Sequence, residues 1–146
     1  MSKELGLLEL GMIAKVYKTI AEMQDSKKLR ELGVEEITVV ETKRTLAVQM
    51  AYYSRGRMNA KDVKEMYRVA GLYALSTEEA NTKNTWTLES KHIEGKAVDI
   101  APMKNGVIWW NAPEEVWQTM GEIGESCGLK WGGRWKDCKD TPHFEV

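Results

Sequence analysis

The sequence has few of the residues that build disulfide frameworks, and it lacks a basic excess. Only two of its 146 residues are cysteines and only two are histidines, beside three prolines and one phenylalanine. Lysine and arginine total 21 against 22 aspartates and glutamates, a formal net charge of -1, so we expect no nucleic-acid partner. Cys127 and Cys138 are expected to be reduced thiols.

Long hydrophobic runs are absent as well. The most apolar stretch, residues 5–20, is interrupted by Glu9, Lys15 and Lys18, and no small-residue cleavage site follows it. We therefore expect neither an export signal nor membrane insertion, and a protein that is made in the cytoplasm. The length and the 42% hydrophobic content predict one compact domain over residues 1–146.

Hydrophobic periodicity and turn residues predict an α+β fold, with helices flanking a small antiparallel sheet. The predicted helices are residues 8–20, a short helix ending at Gly33, residues 46–55, residues 59–70, and residues 113 to 124 or 128. The predicted strands are residues 34–40, 97–101, 107–110 and 143–146. The polar residues 76–87 predict a long surface loop, and residues 1–33 a helical N-terminal part.

The first histidine lies near a carboxylate at a spacing that suits a metal site. His92 precedes Asp99, and Gly95 between them allows a sharp turn that brings the two side chains together. Alternation along residues 97–101 places Asp99 on the face opposite the core. We expect the two alanines on that face to keep a space open in front of Asp99.

The second histidine repeats this arrangement in the last predicted strand, where alternation places His143 opposite the hydrophobic anchors. Two imidazoles and one carboxylate suit Zn²⁺, and three protein ligands leave a fourth tetrahedral position for water. The sequence therefore predicts a catalytic zinc site formed by His92, Asp99 and His143. Cys138 is an alternative fourth ligand, which would make the zinc structural.

A water-activating carboxylate is expected three residues before His143. Asp140 is the candidate base, and Pro142 between the two excludes a helical His-Glu-x-x-His arrangement. Such a carboxylate takes the proton of the water and delivers it to the leaving amine. Glu94 and Glu145 are competing bases, and Glu145 shares the face of His143, where it would orient that ligand.

Two motifs resemble a known zinc peptidase family. Residues 90–99, SKHIEGKAVD, fit the Ser-x-His-x-x-Gly-x-Ala-x-Asp signature of D-Ala-D-Ala dipeptidases and carboxypeptidases and L-alanyl-D-glutamate peptidases. Residues 131–135, WGGRW, and 140–145, DTPHFE, resemble the phage endolysin and spore-wall branch. An Asp rather than a Glu at the base position is typical of the L-alanyl-D-glutamate peptidases. The resemblance covers about residues 34–146 and implies the fold that this family shares with hedgehog domains.

The resemblance also implies roles for individual residues. Zinc is the implied cofactor, with the three ligands and the base named above, and Arg44 polarises the scissile carbonyl. The expected substrate contacts are Ser90, Gln49 and Trp131, with Trp135 as a second tryptophan that could line the groove. The chain departs from the family at Thr42-Lys43, where a Gly-Tyr pair is usual, and at Arg134, where an acidic residue is common. Arg44 as a surface cation is the alternative to its catalytic role.

The implied function is peptidoglycan hydrolysis. By the resemblance, the chain is a phage endolysin, a zinc endopeptidase that cleaves the L-alanyl-D-glutamate bond of the stem peptide. We expect a monomer without a separate wall-binding domain, which reaches the wall after a holin opens the membrane. The alternatives are a D-Ala-D-Ala carboxypeptidase or dipeptidase, and a non-catalytic zinc-containing binding module.

Overall fold

The computed structural model describes residues 2–85 and 87–146, which form six helices and five strands. The helices are α1 (Leu10–Asp25), α2 (Lys27–Glu31), α3 (Leu46–Ser54), α4 (Ala60–Val69), α5 (Thr77–Ala80) and α6 (Glu114–Ser126). The strands are β1 (Glu36–Glu41), β2 (Ala97–Lys104), β3 (Val107–Ile108), β4 (Lys130–Trp131) and β5 (His143–Glu145). None of the helices in the described residues combines the length and hydrophobicity needed to cross a bilayer.

The five strands form one antiparallel sheet in the order β1-β2-β5-β4, and β3 pairs with β2. The central strand β2 pairs with β1 along most of its length and with the short β5 near its start. Helices and a small antiparallel sheet confirm the predicted α+β class.

The larger hydrophobic cluster joins the sheet to α1 and α6. Val98, Ile100 and Phe144 are fully buried in it, as are Met12 and Met120 of the two helices. Helix α6 packs closely on the strands because it presents glycines there. A Cβ at Gly124 would collide with the Phe144 ring, and one at Gly121 with Trp131.

A second hydrophobic cluster joins α3, α4 and α5. Its buried members are Val48, Ala51, Tyr52, Val63, Tyr67, Leu75 and Ala80. Helix α5 lies within residues 76–87, for which the sequence predicts a surface loop, so this prediction is wrong for four residues. Ser76 and Glu79 form a capping box that starts the helical turn, and the full burial of Ala80 holds it against the cluster.

Two details of the sheet also differ from the prediction. Strand β2 continues past the predicted end at residue 101, through Pro102 to Lys104. Proline has no N–H to donate, but the Pro102 carbonyl oxygen still accepts a hydrogen bond from the Trp109 N–H, so the strand is not interrupted. The alanines at 97 and 101 are fully buried, so they do not leave open space around Asp99.

Gly124→Ala should destabilise the fold by roughly 1–3 kcal/mol, because an added methyl overpacks the contact between α6 and Phe144. Urea unfolding followed by circular dichroism measures the loss. Gly11→Ala is the matched control, since Gly11 lies in α1 with no atom near the position of its Cβ. The control should leave stability unchanged or raise it by up to about 1 kcal/mol. Equal stability of both variants would contradict the packing argument.

Candidate active site

Strand pairing brings two of the predicted ligands together. Asp99 of β2 is directly opposite His143 of β5, and on its other side it is opposite Glu41 of β1. Residues opposite each other in an antiparallel pair point to the same face, with Cβ atoms about 4.5–5.5 Å apart. The sheet therefore presents a row of Glu41, Asp99 and His143 on the face opposite Phe144.

The third predicted ligand comes from the turn before β2. His92 is buried, and Gly95 reverses the chain with a φ of +72°. A Cβ at Gly95 would lie 2.9 Å from the Leu7 carbonyl oxygen, and the Gly95 carbonyl accepts from the Glu9 N–H. The turn predicted from Gly95 is thus present, and the N-terminal segment packs against it.

The three side chains converge on one point. Asp99 Oδ1 lies 3.3 Å from His92 Nε2 and 3.4 Å from His143 Nδ1. One ligand atom from each residue lies within 4.8 Å of the other two. Within the described residues this is the one such group of three, and Cys138 does not belong to it.

Hydrogen bonds on the far side of each imidazole fix which nitrogen faces the centre. His92 Nδ1 lies 2.7 Å from the carbonyl oxygen of Thr42, an acceptor, so Nδ1 carries the proton and Nε2 offers its lone pair. His143 Nε2 lies 2.9 Å from Glu145 Oε2, so here Nδ1 is the nitrogen left for the centre. Glu145 is therefore placed as an orienting residue, one of the roles that the sequence leaves open for it.

The chain also holds Glu145 in place. Lys91 Nζ lies 3.3 Å from Glu145 Oε1 and donates to the Val146 carbonyl oxygen at 2.6 Å. These two contacts tie the turn that carries His92 to the strand that carries His143. The two segments that carry the imidazoles are thus held at a fixed distance from each other.

The centre has the electrostatic character of a cation site. Asp99 Oδ1 is buried and has no hydrogen-bond partner among the described residues. Burial raises the pKa of Asp99, but His143 and His92, when they are protonated and no metal is bound, outweigh it and hold the pKa below its usual range, so the carboxylate stays charged. A buried charged oxygen without a donor is costly, and a metal cation facing two imidazole lone pairs would satisfy it. The residues present therefore fit a metal such as zinc.

Asp140 lies beside this centre without belonging to it. Its Oδ2 is 3.9 Å from His143 Nδ1, and the side chain is half-buried. The Asp140 N–H donates to the Gly132 carbonyl, and the Asp140 carbonyl accepts from the His143 N–H. Burial and the charge of Asp99 raise the pKa of Asp140. The position is the one expected of a base next to a metal site.

Arg44 lies in the same cleft, held by a network of side chains. Its Nε and Nη2 each donate to the Glu41 carboxylate at 2.7 Å, and Nη1 donates to Gln49 Oε1 at 2.6 Å. The guanidinium also lies 4.8 Å from the centre of the Tyr52 ring. Only 11% of the side chain is exposed, so Arg44 is a fixed cation rather than a mobile surface residue.

The other predicted substrate contacts have different surroundings. Ser90 lines the cleft, and its hydroxyl accepts from the His92 N–H. Gln49 is fully buried, and its amide is used by Arg44 and by the Thr87 carbonyl. Trp131 is a core residue whose Nε1 donates to the Thr141 carbonyl, so the structure does not bring it to the cleft.

Among the described tryptophans, Trp135 is the one that lines the cleft. Its ring lies 4.9 Å from the His143 ring, and 38% of the residue is exposed. The sequence of residues 131–135 gives no reason to expect one tryptophan rather than the other in the cleft. The structure separates them, because Trp131 pairs with Phe144 as part of β4, whereas Trp135 follows the 3₁₀ turn Gly132–Arg134 and lies outside the sheet.

The centre lies at the bottom of a cleft of about 850 Å³ between the two hydrophobic clusters. Its walls carry cations, phenols and carboxylates beside the candidate ligands. The remaining lining residues that bear on function are Tyr52, Arg55, Tyr67, Tyr73, Lys139 and Asp140.

Comparison with known sequences supports the predicted resemblance. Residues 83–146 match the family described as D-alanyl-D-alanine carboxypeptidase. The chain is 38% identical over 66 residues to the peptidoglycan L-alanyl-D-glutamate endopeptidase CwlK of Bacillus subtilis, covering 40% of each protein. It is also 38% identical over 63 residues to the L-alanyl-D-glutamate peptidase of Escherichia phage T5, covering 40% of this chain and 45% of that one. The matches thus span less than half the length of either relative.

Two solved structures share the fold. The L-Ala D-Glu endopeptidase ChiX of Serratia marcescens aligns with a TM-score of 0.56 and 24% identity, covering 97% of this chain and 82% of its own. The vancomycin resistance D,D-pentapeptidase VanY, solved in complex with Zn(II), aligns with a TM-score of 0.51 and 14% identity, covering 95% and 72%. The structural likeness therefore extends over α1 to α4, beyond the segment that the family matches.

Proposed function

Because residues 83–146, which carry all three candidate ligands, match the family described as D-alanyl-D-alanine carboxypeptidase, we propose that the chain is a zinc peptidase. Its proposed reaction is hydrolysis of the bond between L-alanine and D-glutamate in the peptidoglycan stem peptide. The observation that carries this proposal is the buried Asp99 oxygen, which has no hydrogen bond from the described part of the chain and is faced by two imidazoles whose outer nitrogens are already engaged.

His92 Nε2, Asp99 Oδ1 and His143 Nδ1 would hold the metal. Bound there, zinc supplies Lewis-acid polarisation of a carbonyl and acidifies a water molecule. Thr42 and Glu145 keep the two imidazoles in the tautomers that this requires.

Asp140 is the proposed general base and acid. Its carboxylate would take a proton from the attacking water and deliver it to the nitrogen of the leaving D-glutamyl residue, as the peptide C–N bond breaks. Burial beside Asp99 raises its pKa, which increases its affinity for the proton in transit.

Arg44 would stabilise the negative charge that develops on the scissile carbonyl oxygen. Its ion pair with Glu41 holds the guanidinium rigid, and a preorganised donor needs no rearrangement during the reaction. Gln49 would then act by positioning Arg44, with no exposed atom of its own to offer a substrate.

Two observations support this bond over others in the stem peptide. Asp140 replaces the glutamate of the dipeptidase motif, and two relatives at 38% identity carry names for L-alanyl-D-glutamate cleavage. We further propose that the chain acts as a monomeric single catalytic domain in a phage lysis system, released to the wall by a holin.

Mass spectrometry of digested muropeptides tests the reaction. We expect L-alanine to stay on the muramyl group while peptides with a free D-glutamyl amine are released, and a chelator should stop the release. Free D-alanine without release of the longer peptide would establish the D-Ala-D-Ala carboxypeptidase, which the family description favours. Binding to walls without any product would establish the non-catalytic module.

Glu145→Ala should lower zinc affinity roughly 10- to 100-fold, because the His143 ring loses the partner that fixes its tautomer and orientation. Competition with a fluorescent chelator measures the affinity. Glu94→Ala is the matched control, since Glu94 is exposed and pairs with Lys96 away from the centre. If both variants bound zinc as the unaltered chain does, the orienting role of Glu145 would be wrong.

A further inference from the structure

A second set of polar groups lines the cleft beyond Arg44. We call it the distal wall and define it as Tyr52, Arg55, Tyr67 and Tyr73, all of which line the same cleft as the metal ligands. The Tyr52 ring lies against Arg44, 6.0 Å from the Tyr67 ring, and the Tyr67 ring is 5.7 Å from the Tyr73 ring. The wall thus runs without a break from the catalytic arginine to Arg55.

Arg55 is a fixed cation that has no acidic partner at ion-pair distance among the described residues. Its Nε donates to the carbonyls of Glu79 at 2.8 Å and Thr82 at 3.2 Å, and Nη1 donates to the Tyr67 hydroxyl at 3.4 Å. No described carboxylate lies within ion-pair distance of its guanidinium, and no described group accepts from Nη2. The neutral carbonyls hold the side chain in place, and the Glu79 carboxylate, to which the Tyr73 hydroxyl donates at 3.2 Å, acts on Arg55 only from beyond ion-pair distance.

The other cations of the cleft differ from Arg55. Arg44 is paired with Glu41, and Lys91 is paired with Glu145. Lys139 is exposed on the rim, where water screens its charge. Arg55 is only partly exposed and contacts the Tyr67 hydroxyl, and a charged hydrogen bond to an anion is stronger in such a partly shielded setting than in open solvent.

We propose that the distal wall is a substrate subsite in which Arg55, with the Tyr67 hydroxyl beside it, binds a carboxylate of the peptide on the D-glutamyl side. The inference rests on the proposed function, which supplies a matching group. A glutamyl residue linked through one carboxyl group keeps the other free, next to the scissile bond.

The test compares two substrates that differ only at that carboxylate: a muramyl peptide with the free D-glutamyl carboxylate, and the same peptide with this group amidated. The zinc-loaded protein should cleave the free acid with a kcat/KM roughly 10- to 100-fold higher, as expected for a charge-assisted hydrogen bond. Arg55→Met should lose most of this preference by slowing hydrolysis of the acid alone. Arg55→Lys, which keeps the charge, should retain part of the preference.

Arg68→Met is the matched control, because Arg68 is an exposed arginine of α4 that pairs with Glu65 outside the cleft. It should keep the full preference. A second readout uses no turnover: calorimetric binding of the acid product peptide should weaken in Arg55→Met by the same factor, while binding of the amidated peptide does not change.

The outcomes separate the two proposals. Equal cleavage of both substrates by the unaltered protein, or an unchanged preference in a folded Arg55→Met variant, would overturn the subsite and leave the peptidase intact. Cleavage of neither substrate would overturn the proposed function. In that case the subsite would stand only if the acid peptide still bound more tightly than the amidated one in an Arg55-dependent way.

Discussion

Asp140→Asn should lower the rate of stem-peptide hydrolysis by roughly 10²- to 10⁴-fold while zinc binding stays intact. The asparagine has the size of the aspartate but cannot take a proton from water or return one to the leaving amine. Asp140 lies outside the group of three ligands, so its loss should not empty the site. Release of new amino groups from purified walls measures the rate, and metal analysis measures occupancy.

Asp137→Asn gives the matched control for this substitution. Asp137 is an exposed aspartate in the same segment between the Gly132–Arg134 turn and β5, and it does not line the cleft. Its variant should hydrolyse walls at the rate of the unaltered chain. An Asp140→Asn protein with full activity would remove Asp140 from the mechanism and return Glu94 and Glu145 to consideration.

The metal centre was predictable from the sequence because its determinants are local. Gly95 fixes the turn after His92, and strand alternation places Asp99 and His143 on defined faces. What alternation does not give is the register, and the register decides that these two residues are directly opposite each other. The family resemblance supplied that information.

The partners that orient the ligands were less predictable because they come from distant segments. The carbonyl of Thr42 lies 50 residues before His92, and a backbone acceptor leaves no side-chain signal in a sequence. Glu41 and Glu145 are the exceptions, since they lie three residues before Arg44 and two residues after His143. What the sequence does not give for them is the pairing of β1 and β5 with β2, which places both beside Asp99.

The tryptophans show how burial separates residues that look alike in sequence. Trp131 and Trp135 flank the same glycine pair, yet Trp131 belongs to the sheet and packs on Gly121 of α6. Trp135 is left outside the strand and meets the His143 ring. The distal wall was missed for a similar reason, since Arg55 directly follows α3, Tyr67 lies on α4, and the two meet only when α3 packs on α4.

Removing the metal should abolish hydrolysis and lower the thermal stability of the fold. Zinc at about a thousand times its Kd stabilises a native state by about 4 kcal/mol, which corresponds to roughly 10 °C in Tm for a domain of this size. The physical reason is the buried Asp99 oxygen, which has no donor among the described residues and gains its only strong partner when a cation binds. Differential scanning calorimetry with zinc and with chelator measures the shift.

Asp99→Ala isolates the role of that oxygen. Any loss of packing affects its zinc and chelator scans equally, so the difference between the two scans reports binding alone. We expect this difference to vanish in Asp99→Ala and to persist in Glu89→Ala, which removes an exposed carboxylate from the same cleft. A zinc-dependent Tm that survived in Asp99→Ala would mean that the ion binds elsewhere on the chain, and the centre built by β2 and β5 would lose its assignment.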